Sequence, residues 1–220
     1  MTKFLKVLRP GIVPFREAEE IQKELAEQVA AGEIPDSLLL LEHPHTYSFG
    51  RQGNEANLLW RKEQTAEKGI DLIWTDRGGD VTYHGPGQLV GYPILKLGEP
   101  GKIDVRGYLR MLEDVLIHSL AEGIEAMRVD GDTGVWIPGV PPAKIASIGV
   151  KVDANGISRH GFALNVCPDM AYWKGIIACG LENQSKTSIQ TLEPKLADMQ
   201  NITELVEQEF LKVFGYTLQN

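Results

Sequence analysis

The stretch Arg77-Gly78-Gly79-Asp80-Val81-Thr82-Tyr83-His84-Gly85-Pro86-Gly87-Gln88 decides how the chain is read. Asp71-Leu72-Ile73-Trp74 leads into it, and Leu89-Val90-Gly91-Tyr92-Pro93-Ile94-Leu95 leads out. Short apolar runs bounded by turn signals read as strands. The segment is therefore a glycine-rich loop and a short strand set between two strands of a sheet. Glycine lets a backbone come close to a ligand, and successive N–H groups in such a loop form a concavity for an anion or a carbonyl oxygen. Gly-Pro-Gly alone signals only a turn, and Gly78-Gly79 alone only a β-bulge. The Arg, Tyr and His side chains crowded among these glycines point further, because loops held by a rigid scaffold carry function.

Upstream, Phe4, Val7 and Leu8 among lysines predict a first strand. Phe15, Ala18, Ile21, Leu25 and Val29 recur at helical spacing, opened by Pro14 and closed near Gly32. Ser37 to Leu41 is a compact apolar run that predicts a buried strand. His43 and His45 flank a proline with no third ligand nearby in sequence, so they read as turn or pocket residues and not as a zinc site. A short helix is expected between Asn57 and Gly69.

Downstream, Val105, Leu109, Leu112, Val115, Leu116 and Leu120 mark the strongest helix, ending near Gly123. Asp130 to Gly134 lacks the spaced acids and closing Glu of a calcium loop and reads as a hairpin turn. Asn155-Gly156 predicts a second hairpin, between strands at Lys144–Val152 and Ser158–Val166. A last helix is expected from about Asn201 to Phe214, with Asn201 and Glu204 as a capping box. Interspersed helices and strands make an α+β chain, a mixed β-sheet flanked by helices in a single domain over residues 1–220.

Composition narrows the function. The 220 residues hold 30 Asp and Glu against 22 Lys and Arg, a net charge of −8. That balance argues against nucleic acid as the main partner. No apolar run reaches the ~20 residues of a membrane helix. The 2 cysteines, Cys167 and Cys179, are too few for a disulfide framework and read as reduced thiols of a cytoplasmic protein.

Two residues stand out chemically. Cys179 precedes Gly180, which leaves space and an open N–H beside the sulfur, although a small buried hydrophobe is the ordinary reading of a lone cysteine. Lys144 leads directly into an apolar strand, where desolvation lowers a lysine pKa and makes it a base. Alternatively, its stem snorkels to solvent. Their separation in sequence leaves them unpaired by residue-level reasoning alone.

Four motifs in order resemble the lipoyl (octanoyl) transferases of lipoate biosynthesis: Arg77–Gln88, Lys144-Ile145-Ala146-Ser147-Ile148-Gly149, His160-Gly161-Phe162-Ala163-Leu164-Asn165 and Ala178-Cys179-Gly180. The resemblance implies the lipoate/biotin protein ligase-like fold and transfer of an octanoyl group from acyl carrier protein. The acceptors it implies are lipoyl domains of 2-oxoacid dehydrogenase subunits and the glycine cleavage H protein. No cofactor, metal, nucleic acid or membrane is implied, and no ATP. By motif, Cys179 is the nucleophile and Lys144 the residue that lowers its pKa. Arg77, Gly78, Gly79, Asp80, Val81, Thr82, Tyr83, His84, Ser147, Ile148, Gly149, Gly161, Phe162 and Ala163 would line the acyl pocket. His84 would shape it and not act as the base. The family usually carries Pro-Cys-Gly where this chain has Ala178-Cys179-Gly180. Because acyl carrier proteins tend to be acidic, Arg51, Arg77, Lys151, Arg159 and Lys174 are expected to form a basic face at the pocket mouth.

Overall fold

The computed structural model describes residues 3–99, 101–178 and 185–219. In chain order the strands are β1 (Lys3–Ile12), β2 (Asp36–Glu42), β3 (Thr46–Phe49), β4 (Asp71–Trp74), β5 (Val81–His84) and β6 (Gln88–Ile94). They continue as β7 (Met127–Val129), β8 (Asp132–Ile137), β9 (Ala143–Val152), β10 (Ser158–Asn165), β11 (Ser185–Lys186) and β12 (Tyr216–Leu218). The helices are α1 (Phe15–Ala31), α2 (Lys62–Glu67), α3 (Val105–Leu120), α4 (Ile189–Leu192) and α5 (Met199–Phe214).

The large sheet runs β12-β1-β2-β6-β10-β9-β8-β7, with β11 added beside β9. It is mixed: β12, β1 and β2 pair in parallel, while β2 through β7 along that path pair antiparallel. Side chains of a strand alternate between its faces, so the leucine run of β2 serves two cores. Leu38 and Leu40 pack with Leu112, Leu116 and Phe210 under α3 and α5. Leu39 and Leu41 pack with Ala18, Leu25 and Val29 of α1. The same parity sends Phe162 and Leu164 to the first core and Ala163 to the second. An apolar run is what a strand covered on both faces requires.

A smaller sheet, β4-β3-β5, carries the strand part of the glycine-rich stretch. Thr46–Phe49, directly after the His43-Pro44-His45 turn, is a strand with all four residues buried, β4 parallel on one side and β5 antiparallel on the other. Behind it Tyr47, Phe49, Val81 and Tyr83 pack with Trp173, Ile176 and Ala178. Helix α5 starts at Met199, capped by the Asp198 side chain, which accepts from Asn201 N at 2.8 Å. That displaces the capping box expected at Asn201, since an Asp at the N-cap satisfies the same orphan donors.

Candidate active site

The glycine-rich loop is clamped backbone to backbone. Gly50 N, Arg51 N and Gln52 N donate to Asp80 O, Arg77 O and Gly79 O at 3.2, 2.9 and 3.1 Å. Gly78 N donates to Val150 O of β9 at 3.0 Å. The Arg77 guanidinium turns inward: it donates to Ser48 O at 2.5 Å, Asp80 O at 2.8 Å and Gly78 O at 2.9 Å. A Cβ on Gly50 would collide with Gly79 O and lie 2.9 Å from Arg77 O, both backbone atoms. Gly50→Ala is therefore expected to displace the loop and cost about 1–3 kcal/mol of stability. Denaturant unfolding checks this, and an unchanged midpoint contradicts it.

Loop, β9, β10 and α3 enclose a cavity of about 450 Å3. Arg77, Gly78, Gly79, Asp80, Val81, Thr82, His84, Lys144, Ser147, Ile148, Gly149, Gly161, Phe162 and Ala163 all line it. Two adjacent strands supply much of the wall, because Ser147 and Gly149 stand opposite Ala163 and Gly161 in the antiparallel ladder. The two glycines admit neighbouring backbone: a Cβ on Gly149 would lie 2.9 Å from Gly78 O, and one on Gly161 would collide with Gly91 O.

Tyr83 does not line the cavity. It belongs to the core behind the small sheet, where its hydroxyl lies 3.0 Å from His45 Nδ1 and its ring stacks on Tyr172. Phe15, Tyr92, Leu109, Thr133, Val150 and His160 line the cavity and were not expected there. Phe15 and Leu109 were legible only as helix-face residues, with nothing in the spacing to say that those faces meet a cavity.

Lys144 is 5% exposed, and its Nζ lies 4.7 Å from the centre of the Trp136 ring, its cross-strand neighbour on β8. A cation over an indole face is an attractive electrostatic arrangement. Gly134, at φ 128, makes room: a Cβ there would sit 2.6 Å from Lys144 Cε. Buried Glu113 of α3 holds that glycine by accepting from Gly134 N at 3.1 Å, and it also binds Arg110 and Arg128. Lys144 is thus a cavity-wall lysine, and the snorkelling alternative fails on its burial. Cys179 and Gly180 lie outside the described residues; the backbone is described up to Ala178, which is buried in the core behind the small sheet.

A buried polar relay joins the two sheets. Ser48 Oγ, which accepts from Arg77 Nη2 at 3.0 Å, lies 3.1 Å from His84 Nε2. His84 Nδ1 lies 2.9 Å from Gln88 Oε1, and Gln88 Nε2 donates to Tyr83 O and to Asn165 Oδ1 at 3.1 and 2.9 Å. Asn165 Nδ2 donates to Thr187 O at 3.0 Å, and Thr187 N donates to Lys144 O at 3.0 Å. The carbonyls of Tyr83 and Thr187 accept only, which fixes both amides. His84 Nδ1 must then donate to Gln88, and its Nε2 accepts from the Ser48 hydroxyl. Removing one member of such a buried chain leaves its neighbour unsatisfied at about 1–3 kcal/mol. Both ring nitrogens of His84 are engaged, so it has no lone pair to offer a substrate.

Burial holds the site histidines neutral. His43, which donates to Val13 O at 2.6 Å and lies 2.7 Å from the Tyr92 hydroxyl, is pushed down to about 4 by burial. Burial also drives His84 well below its ordinary range, reinforced by His43 and Arg77. It lowers His160 too, against the opposing pull of Asp76. In the unfolded chain these histidines protonate as pH falls through 6.5, while the folded ones stay neutral. Stability is therefore full above that pH and is lost below it, by up to about 1.4 kcal/mol per pH unit for each such histidine. The thermal midpoint is expected to fall between pH 6.5 and about 4, the window set by His43, and a flat midpoint there contradicts the assignment.

Glu19, Asp76 and His160 bring three ligand atoms within 4.8 Å of one another. These atoms already bind one another and their neighbours: Asp76 lies 2.8 Å from His160 Nε2 and 2.6 Å from Arg159, and Glu19 accepts from Thr75. Arg159 already supplies a positive charge to the Asp76 carboxylate. The expected basic face is correspondingly smaller, because Arg77 is buried and Arg159 is paired; Arg51 and Lys174 are exposed and Lys151 partly so. The loop is also a wall more than a set of donors, since Gly78 N, Gly87 N and Gln88 N bind Val150 O, Glu42 Oε2 and Gly85 O. Burial pushes the Cys167 thiol up, helped by Glu42 and Asp198, which leaves it a poor nucleophile at neutral pH.

The sequence pattern of the lipoyl protein ligase A/B catalytic domain matches residues 14–211. A Rubrobacter xylanophilus protein named octanoyltransferase is 43% identical over 209 residues, spanning 94% of this chain and 91% of that one. The chain belongs to the octanoyltransferases of the lipoyl protein ligase A/B catalytic domain family. The fold agrees. A bipartite lipoate protein ligase from Thermoplasma acidophilum superposes with a TM-score of 0.72 at 15% identity, covering 100% of this chain and 86% of that one. The apo biotin protein ligase of Aquifex aeolicus superposes at 0.52 and 12% identity, covering 98% and 70%. The octanoyltransferase thus has the lipoate/biotin protein ligase fold. Among its described residues no helix is long and apolar enough to cross a membrane.

Proposed function

We propose that the chain moves an octanoyl group from acyl carrier protein to the target lysine of a lipoyl domain, through a thioester on Cys179. The observation that carries this reading is a buried lysine, Lys144, in the wall of a cavity framed by small strand residues. The thiol proton of Cys179 passes to the Lys144 amine, and the thiolate attacks the donor thioester carbonyl. The tetrahedral intermediate expels the pantetheine sulfur, which takes the proton back. The neutral amine of the acceptor lysine then attacks the enzyme thioester. An amide forms, the carbon–sulfur bond breaks, and the amine proton returns to Cys179 by way of Lys144. Leu109, Val150 and Phe162 would shield the tail, at about 0.8 kcal/mol for each buried CH2.

No step consumes ATP, because the acyl group arrives activated. This separates the reading from a ligase, which must first make an acyl-adenylate. Octanoyl acyl carrier protein and an unmodified lipoyl domain, mixed with the enzyme in nucleotide-free buffer, are expected to give the octanoyl-lysine product. Product formed only from free octanoate and ATP would replace transferase by ligase. The H protein as an acceptor, and a cytoplasmic setting, belong to the same proposal.

A further inference from the structure

Asp80 lines the cavity, yet its carboxylate is committed elsewhere. Oδ1 accepts from Asn54 N at 3.0 Å, and Oδ2 accepts from the Asn57 side-chain amide. Asn57 in turn holds a distant segment, its carbonyl accepting from Ile177 N at 2.8 Å. The contact extends along both strands of chain. Leu59 N and Trp60 N donate to Gly175 O at 2.8 and 3.3 Å, and Leu58 bridges Ile176 in antiparallel fashion. Gly175 permits this closeness, since a Cβ there would lie 2.6 Å from the Trp60 ring. Residues 57–60 therefore brace residues 175–177, and Asp80 fastens that brace to the cavity loop. Cys179 follows Ile177 by two positions.

We infer that the Asn57–Asp80 pair is a positioning latch that ties residues 175–177, the segment leading into Cys179, to the cavity loop. The inference rests on Cys179 being the nucleophile. Each side of the latch is anchored at a second point: Asp80 O accepts from Gly50 N, and Asn57 N donates to Asn54 O at 2.9 Å. Asp80 meets this segment twice, at Asn54 N and at the Asn57 side chain, and the second contact falls on the residue whose carbonyl holds Ile177 N. A carboxylate receiving an amide N–H is a charge-assisted bond with a defined direction. Both side chains are only partly buried, so exchanging them spares the core.

The test is the rate of octanoyl appearance on Cys179, followed by quenched-flow and intact mass in the unsubstituted enzyme, Asn57→Asp, and the double exchange Asn57→Asp with Asp80→Asn. Asn57→Asp sets two carboxylates face to face. It is expected to slow acylation on the order of tenfold to a hundredfold, as small misplacement of a reacting group does. In Asn57→Asp the loss should fall on the acylation rate and not on the KM for the acyl donor, since Asn57 does not line the cavity. The exchange restores a donor opposite an acceptor and is expected to recover most of the rate. Acylation of Asn57→Asp at the original rate overturns the latch, as does an exchange no faster than the single variant. An adduct missing from Cys179 in the unsubstituted enzyme overturns the nucleophile reading, and the latch falls with it.

Discussion

Replacing Cys179 with Ser is expected to lower kcat for octanoyl transfer on the order of a thousandfold or more, as loss of an enzymic nucleophile does. A serine hydroxyl in the same place lacks an accessible anion at neutral pH, and a lysine amine is too weak a base to make one readily. The matched control is Cys167→Ser. That thiol is partly buried beside Glu42 and its pKa is pushed up, so transfer by this variant should stay near the original rate. Steady-state assays of both variants, with fluorescence melts to confirm folding, check the pair. Loss of activity at Cys167 with retention at Cys179 would reverse the assignment.

Lys144→Met is expected to lower kcat by about 10²–10⁴-fold, the span typical of losing a general acid–base group. Met has an unbranched stem like that of Lys and fits an apolar environment, so the room left by Gly134 and the Trp136 face should remain filled. The separating readout is thiol alkylation of Cys179 against pH. If Lys144 supports the thiolate, its removal moves the alkylation midpoint upward, toward the ~8.5 of a free cysteine. Unchanged alkylation alongside lost transfer would place Lys144 in the second half-reaction instead.

Much of the frame was legible from pattern. The leucines of β2, the faces of α1 and α3 and the Asn155-Gly156 hairpin follow from periodicities of two and about 3.6 residues and from one turn signal. What pattern missed was set by distant contacts. Thr46–Phe49 sits just after His43-Pro44-His45 and mixes hydroxyl with aromatic side chains, so it reads as a turn until β4 and β5 are placed beside it. Tyr216–Leu218 is short and becomes a strand only because β1 lies alongside.

The site divided in the same way. Lys144 stands out by its place before an apolar strand, but its pairing with Cys179 rests on the motif resemblance and not on spacing. The relay from Arg77 through Ser48, His84, Gln88 and Asn165 draws on four strands and the glycine-rich loop, and no local window contains it. Arg77 lines the cavity as expected but does not join the basic face, for the same reason: the carbonyls that satisfy its guanidinium include Ser48 O, 29 positions away in the chain.

The most direct test is to mix the enzyme with octanoyl acyl carrier protein alone, quench in acid, and map the adduct by intact and peptide mass spectrometry. One octanoyl group on the peptide containing Cys179, lost when an unmodified lipoyl domain is added, is the predicted result. An enzyme that transfers the group while carrying no adduct, or carrying it on Cys167, would contradict the account.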